Sequence, residues 1–132
     1  MISKNKTPTL VDFLICDDIR QEVDGRFSLM GIYPGNTVPA PQLPTIFPQL
    51  AFVFGIRGLT EPTHISLSIR APDGHQAKTA PLRDLAPATK AGEALFFVQA
   101  APIQLSLAGD HEIRLQLGNQ QEATSFHVLQ PG

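Results

Sequence analysis

The spacing of proline and glycine is the feature that most limits what this chain can fold into. Its 132 residues contain 12 prolines and 10 glycines, scattered so that few stretches could hold a helix of several turns. Proline removes a backbone donor and clashes with the preceding helical turn, and glycine is a poor helix former. The intervening runs are short and alternate apolar with polar residues, as half-buried strands do. The sequence therefore predicts an all-β fold with little or no helix.

The strongest strand pattern is a hairpin near the start of the sequence. Residues 13–35, FLICDDIRQEVDGRFSLMGIYPG, contain two apolar runs on either side of the turn sequence Val23-Asp24-Gly25. A two-residue loop at Asp24-Gly25 would place charged side chains among the apolar ones on the buried face. A three-residue loop keeps that face apolar, because a one-residue slip exchanges the two faces of a strand. We therefore predict the three-residue loop.

The register of this hairpin determines which of its side chains are buried. It places Ile19 opposite Leu29 and Ile15 opposite Tyr33. Gly25 then adopts a left-handed G1 bulge with positive φ, a conformation that residues with a Cβ resist. The register predicts five core side chains: Ile15, Ile19, Phe27, Leu29 and Tyr33.

The middle of the chain also consists of strand patterns. Residues 50–57 are apolar on both faces, as expected of a central strand, and residues 64–71 alternate cleanly between apolar and polar. The turn sequence Pro72-Asp73-Gly74 predicts a short return strand at 76–79. Residues 81–90 are the one segment where a helical turn fits, and an internal proline shortens it.

Further strands are predicted toward the end of the chain. Residues 93–101 carry Phe96 and Phe97 on opposite faces, and a second apolar alternation follows a bend at Pro102. The last strands form a hairpin with a two-residue loop at Asn119-Gln120. This loop pairs Leu115 with Thr124, Ile113 with Phe126 and His111 with Val128.

Together these segments predict one antiparallel β-sandwich of about seven to nine strands, immunoglobulin-like or jelly-roll-like. A closed barrel is the alternative. The domain covers residues 10–130, and residues 1–9 form a short tail. The link 34–49 holds five prolines, and its length suggests an extended, polyproline-like crossover between two sheets.

Composition argues against several kinds of partner. Ten Lys and Arg against 12 Asp and Glu give a net charge of −2, so no basic surface favours nucleic acid or an anionic membrane. No run approaches the ~18 apolar residues of a membrane span, and no signal peptide is convincing. The single cysteine, Cys16, is expected to be a small buried hydrophobe. We expect a cytoplasmic protein without a cofactor.

The sequence as a whole resembles a known family. The opening pattern LICDDIRQEVDGRFSLMGIYPG, the strand end FGIRG and the closing GDHEIRLQLGNQQEATSFHVLQ are similar to a family of small uncharacterised bacterial β-sandwich proteins. The similarity covers most of the chain, and its motifs are structural. It implies the sandwich fold. Because that family has no assigned activity, it implies no site residue.

Asp17 is the residue that the predicted fold explains least. It falls opposite Gly31 on the face of Ile15 and Ile19, so it is either buried, bulged out or past the rim of the sheet, and a buried carboxylate requires a partner. A local hydrogen-bonding role is the main interpretation. The alternative is a divalent-metal or small-ligand site at one end of the sandwich, because oxygen ligands suit hard cations. Its candidate ligands are four aspartates: Asp17, Asp18, Asp24 and Asp73.

No motif in the sequence indicates catalysis. There is no GxSxG nucleophile elbow and no phosphate-binding loop, and the absence of tryptophan argues against a lectin. Zinc-binding spacing is missing from the four histidines: His64, His75, His111 and His127.

Two functions are therefore predicted as alternatives. The first is a non-enzymatic protein-interaction or structural module without catalytic residues. In this module an edge strand or the proline-rich link contacts a protein partner or a second copy of the chain. The second is the small-ligand or metal site near Asp17, Asp24 and Asp73.

Overall fold

The protein is an all-β sandwich, as predicted. A computed structural model describes residues 8–131, with the side chains of 77–83 excluded. The described residues contain no α-helix and a single 3-10 turn, Pro34–Asn36. Their strands are β1 (Thr9–Cys16), β2 (Asp18–Gln21), β3 (Phe27–Met30), β4 (Thr37–Pro39), β5 (Thr45–Phe47), β6 (Leu50–Arg57), β7 (Thr63–Arg70), β8 (Gln76–Leu85), β9 (Ala94–Ala100), β10 (Ile103–Leu105), β11 (Gly109–Leu117) and β12 (Gln120–Leu129).

Two main sheets form the sandwich. One has five strands in the order β4-β12-β11-β7-β8, and the other has three in the order β1-β6-β9. Two small pairs, β10-β5 and β2-β3, complete the described fold. All strand pairs are antiparallel except β4 with β12, which is parallel. The twelve strands exceed the predicted seven to nine because several of the additional ones are only three or four residues long.

The inner faces of the two main sheets share one hydrophobic core. Phe52 of β6 and Phe126 of β12 meet across it with ring centroids 5.6 Å apart. Each fully buried side chain of this size stabilises the fold by about 1.5–3 kcal/mol. The largest buried side chains are Phe52, Phe54, Phe126, Ile15, Leu50, Ile56, Ile65, Leu67, Ile69, Leu105, Ile113 and Leu115.

Strand β6 is the central strand that its sequence predicts. Residues 50–56 are all buried, because β1 and β9 pair with both edges of β6 and apolar groups cover both of its faces. On the inner face Phe54 stacks on Phe13 with centroids 5.0 Å apart. On the outer face Ala51 and Val53 belong to a second, smaller apolar cluster.

The opening hairpin has the predicted loop but not all of the predicted burial. Ile19 pairs with Leu29, the loop has three residues, and Gly25 has φ +90°. Ile15 is fully buried in the main core. Ile19 and Leu29 are half-buried in the second cluster, because the chain bends at Asp17 and lays β2-β3 over the outer face of the three-stranded sheet.

The loop of the closing hairpin differs from the prediction. It is Gly118-Asn119, so Leu117 pairs with Gln120 and Ile113 with Thr124. Gly118 has φ +60°, which matches the first central position of a type II′ turn, where glycine is favoured. The error shifts each predicted pair by two residues and therefore leaves every side chain on its predicted face.

The helical turn considered for residues 81–90 is wrong. Strand β8 continues to Leu85, well beyond the predicted 76–79, and pairs with β7. The pairing shifts register between Ala80 and Arg83. Pro81 lies in this irregularity at the edge of the sheet, where the missing N–H of proline breaks no regular ladder.

The proline-rich link is part of the sandwich rather than a free loop. After the 3-10 turn it adds β4 to the five-stranded sheet and β5 to the small pair with β10, and it then enters β6. Val38 and Ala40 are fully buried. The link does cross between the sheets, and two stretches of it, β4 and β5, pair as strands rather than staying polyproline-like.

Candidate functional site

The outer face of the three-stranded sheet is covered over only part of its area. Strand pairing places three rows of side chains across this face: Cys16, Ala51 and Gln99; Leu14, Val53 and Phe97; and Asp12, Gly55 and Leu95. The opening hairpin packs on the first two rows, where the Phe27 and Phe97 rings meet edge to face at 5.2 Å. No residue that the structure describes covers the third row in this way.

We call the uncovered part of this face the open patch, and define it by Val11, Asp12, Leu14, Gly55, Arg57, Glu93 and Leu95. Its apolar members are exposed: Leu95 by 52%, Val11 by 43% and Leu14 by 37%. A groove of about 330 Å³ runs through the patch. The patch therefore combines apolar surface with a concave shape.

Glycine at position 55 shapes the floor of this groove. A Cβ placed there would lie 3.1 Å from Cβ of Asp12 and 3.3 Å from its Oδ2. The Asp12 side chain thus lies against bare backbone, in the space that a residue at 55 would otherwise occupy. Any larger residue at position 55 would fill the groove between Asp12 and Leu95.

The charges of the open patch are only weakly satisfied. Arg57 Nη2 lies 4.0 Å from Glu93 Oε2, and both side chains are more than half exposed. A pair of this kind contributes little to stability. Among the described residues, no hydrogen bond or ion pair holds the exposed Asp12 carboxylate. The patch therefore presents one unpaired carboxylate and one loosely held guanidinium.

Hydrogen bonds from other segments occupy the free edge of β1. This edge is one place where the predicted edge-strand contact with a partner could form. The Tyr33 N–H donates to the Ile15 carbonyl at 2.9 Å, and Asn36 Nδ2 donates to the Phe13 carbonyl at 3.4 Å. The Leu10 N–H donates to Glu122 Oε1 at 3.3 Å. These bonds use backbone groups that an added strand would need. The face of the sheet is more accessible than this edge.

Asp17 and Asp18 have the local hydrogen-bonding role that was the main interpretation. The Tyr33 hydroxyl donates to Asp17 Oδ1 at 2.6 Å. Burial of the Tyr33 ring, together with this bond, raises the pKa of Tyr33 to about 12. Asp18 Oδ1 accepts from Gln49 Nε2 at 2.8 Å and from Gln99 Nε2 at 3.3 Å. Both aspartates anchor the opening hairpin to the body of the domain.

Asp24 and Asp73 lie in two different turns. Asp24 accepts from the backbone and side chain of Arg26 at the tip of the opening hairpin. Asp73 accepts from the His75 backbone N–H at 3.0 Å and contacts His75 Nδ1 at 2.9 Å, and these bonds lower the pKa of Asp73. In the part of the chain that the structure describes, no three His, Cys, Asp or Glu side chains group so as to hold a metal ion.

Asp73 does line a second cleft, of about 400 Å³, beside the β7–β8 turn. His111 forms part of the cleft wall and is only 1% exposed. Its Nδ1 lies 3.1 Å from the Gly109 carbonyl, and its ring stacks on Phe126 at 4.9 Å. Burial lowers the pKa of His111. The remaining lining residues are Ala71, His75, Gln76, Gln104, Ser106 and Leu107.

His64, His127 and Cys16 make contacts that give them structural roles. His64 pairs with Asp84, and His127 Nδ1 lies 2.7 Å from Asp110 Oδ1. Cys16 is fully buried, as predicted, and burial raises the pKa of its thiol. Its Sγ donates to the Asp18 carbonyl at 3.4 Å. The thiol is therefore held protonated beneath the opening hairpin.

Comparison with known proteins supports the fold and the family. The profile of a family of unknown function, DUF6941, matches residues 11–129. The chain belongs to this family. No curated protein matches this DUF6941 chain. No helix among its described residues has the length and apolar character needed to cross a membrane.

A solved structure similar to this DUF6941 chain is the crystal structure of the C-terminal domain of wzt, with a TM-score of 0.52. The two sequences are 13% identical, and the alignment covers 95% of this chain and 75% of the other. At this level of identity the similarity shows the fold alone.

The residues of the open patch were not predicted from the sequence of this DUF6941 chain. Asp12, Arg57 and Leu95 are distant in sequence and meet only through the registers of β1, β6 and β9. One pattern did point toward them. The second face of residues 50–57, Ala51-Val53-Gly55, is apolar but small, which indicates a face that something else must cover.

Proposed function

We propose that this protein is a non-enzymatic protein-interaction module that contacts its partner through the open patch. The observation that carries the proposal is the partial cover of the three-stranded sheet. The opening hairpin hides Ala51 and Val53 but leaves Leu14 and Leu95 exposed on the same face. Contiguous exposed apolar surface beside polar groups is typical of protein contact sites.

The shape and chemistry of the patch support a protein partner. A groove of about 330 Å³ lies between exposed aliphatic side chains, and its charged groups, Asp12, Arg57 and Glu93, lie in the same groove. Protein interfaces often combine an apolar centre with a polar rim. Because hydrogen bonds occupy the free edge of β1, contact through the sheet face is favoured over addition of a strand to β1.

Affinity capture with matched variants tests this proposal. The tagged protein is expressed, together with a copy carrying a different tag, in the cells that encode it. Wild type is compared with Leu95→Glu in the open patch and with Leu129→Glu, a similarly exposed leucine of the five-stranded sheet. We expect a partner that is captured by wild type and by Leu129→Glu but lost with Leu95→Glu. Capture that is equal for all three, or absent for all three, contradicts the proposal.

A second candidate function is the binding of a small polar ligand in the Asp73 cleft. A volume of about 400 Å³ lies within the range of ligand pockets, and Asp73, His75 and Gln104 place polar groups along it. This candidate retains the small-ligand alternative for Asp73, whereas the described residues offer no metal-binding group.

Thermal unfolding in a panel of small metabolites tests the second candidate. A ligand that binds only the folded state adds about 2.7 kcal/mol to the free energy of unfolding at 100 times its dissociation constant, and this raises the unfolding midpoint. The shift should disappear in Asp73→Ala, with Asp24→Ala as the control in a turn outside the cleft. The absence of any shift across the panel contradicts this candidate.

A further inference from the structure

We propose that the open patch binds a second copy of the same chain, in a two-fold symmetric dimer that pairs Asp12 of each copy with Arg57 of the other. The inference rests on the proposed function for the location of the contact, and it adds the identity of the partner. It follows from the charges of the patch, from its exposed aliphatic groups and from the geometry of a two-fold axis.

The Asp12 carboxylate sets the first requirement. It is exposed and, within the described residues, unpaired, and it lies over Gly55 with exposed Val11 and Leu95 nearby. A partner that covers these aliphatic groups also removes water from the carboxylate. Burying an unpaired charge is costly, so the partner must bring a cation to this position.

Arg57 meets that requirement from within the same patch. It lies on β6, next to the strand that carries Asp12, and lines the same groove. Its guanidinium is 4.0 Å from Glu93, and its side chain is 63% exposed, so most of its donors are available. In a two-fold interface, if residue i contacts residue j of the other copy, then j also contacts i. The patch also holds Glu93 beside Arg57, so in the two-fold contact each guanidinium lies between its own Glu93 and the other copy's Asp12, and this shared cation makes the surface complementary to itself.

The apolar part of the patch suits the same arrangement. Leu14 and Leu95 flank β6 on the outer face, with Gly55 and Val53 between them. When two such faces meet, the leucines of one copy can occupy the groove over Gly55 of the other. Each copy then buries its own exposed leucines, and two Asp12–Arg57 pairs border the contact.

Charge exchange in the purified full-length chain tests the pairing directly. Asp12→Arg places two cations opposite each other, and Arg57→Asp places two anions opposite each other. The double variant Asp12→Arg/Arg57→Asp restores opposite charges and the net charge of wild type. Asp24→Arg, at the exposed hairpin tip, matches the charge change of Asp12→Arg outside the patch. Sedimentation equilibrium gives the dimer dissociation constant of each variant, and thermal unfolding verifies that each is folded.

We expect wild type and Asp24→Arg to form dimers with similar dissociation constants. Each single variant in the patch should raise that constant about tenfold or more, because like charges meet in the interface. The double variant should recover most of the affinity. A wild type that remains monomeric at every concentration, or a double variant as weak as the single ones, overturns the inference. Capture of a different protein that still depends on Leu95 would then leave the proposed function standing.

Discussion

Two of the hairpins, β2-β3 and β11-β12, have similar sequence patterns but are held in different ways. The closing hairpin lies inside the five-stranded sheet, where β7 and β4 pair with its two outer edges and its apolar face lies in the main core. The opening hairpin pairs only with itself and lies on the outside of the other sheet. A hairpin can thus be part of a main sheet or pack on the outside of one, depending on which surface its apolar side chains contact.

The largest expected difference comes from truncating one isoleucine in each hairpin. Ile113 of β11 is fully buried, so Ile113→Ala should lower the free energy of unfolding by about 3 kcal/mol through lost burial and a cavity. Ile19 of β2 is half-buried, so Ile19→Ala should cost about 1 kcal/mol. Urea unfolding followed by far-UV circular dichroism measures both. Equal losses would mean that the opening hairpin is as integral to the core as the closing one.

Substitution of Gly31 should weaken the packing of the opening hairpin on the three-stranded sheet. This residue has φ +71°, and a Cβ there would lie 2.4 Å from Asp17 Oδ2. Gly31→Ala should therefore cost about 2 kcal/mol, from left-handed strain and from displacement of Asp17. Gly25→Ala, at φ +90° with nothing within 4 Å, isolates the strain alone and should cost about 1 kcal/mol. Amide hydrogen exchange should show faster opening of residues 18–30 in the Gly31 variant. Equal exchange in the two variants would count against the contact with Asp17.

Alkaline pH provides a milder test of the same attachment. Tyr33→Phe removes the 2.6 Å bond to Asp17 and should cost about 1 kcal/mol. Because the pKa of Tyr33 is raised to about 12, folded Tyr33 keeps its proton above pH 10, where the unfolded chain loses it. Its contribution to stability is therefore complete below pH 10 and is lost as the pH rises toward 12. The stability difference between wild type and Tyr33→Phe should shrink over that interval in urea titrations. A difference that is constant with pH would argue against the bond.

Acidic pH should weaken the region of the closing hairpin, and this is the smallest expected effect. Burial lowers the pKa of His111, so below pH 6.5 the unfolded chain takes up a proton that the folded chain does not. Stability is therefore complete above pH 6.5 and decreases as the pH falls below it. Asp73, Asp110 and His127 also act on the His111 ring. His111→Phe keeps a ring against Phe126 and removes this titration, so its urea midpoint should change less between pH 7.5 and pH 5 than that of wild type. An unchanged slope would show that His111 does not titrate differently on folding.

The sequence predicts local features of this fold well. The loop of the opening hairpin was predicted correctly, because only one register keeps charge off the apolar face and Gly25 can adopt positive φ. The loop of the closing hairpin was misplaced by one residue, because glycine and asparagine at 118 and 119 allow two similar turns. Both alternatives put the same side chains inward, so the pattern of apolar residues could not separate them.

The candidate site was harder to predict because it depends on distant pairing. Asp12 shares the outer face with Leu14 by simple alternation, but the strand pairing that sets it beside Gly55 joins segments more than 40 residues apart, which no local pattern reveals. The position of Leu95 beside Gly55 depends on a strand pair that is far apart in sequence. Asp17, by contrast, was expected to need a partner if it were buried; it is exposed at the bend, and its carboxylate accepts from the Tyr33 hydroxyl. A single carboxylate within an apolar pattern is visible in the sequence, whereas a surface assembled from three strands is not.

The parallel pairing of β4 with β12 has a consequence for how the chain reaches its native state. Thr37 pairs with His127, so this contact closes a loop of about 90 residues, and such non-local contacts slow folding. During synthesis, β4 must wait for nearly the whole domain to emerge before its edge is paired. Pro39 within β4 lacks the N–H that a foreign strand would bind, which limits misassembly during that wait.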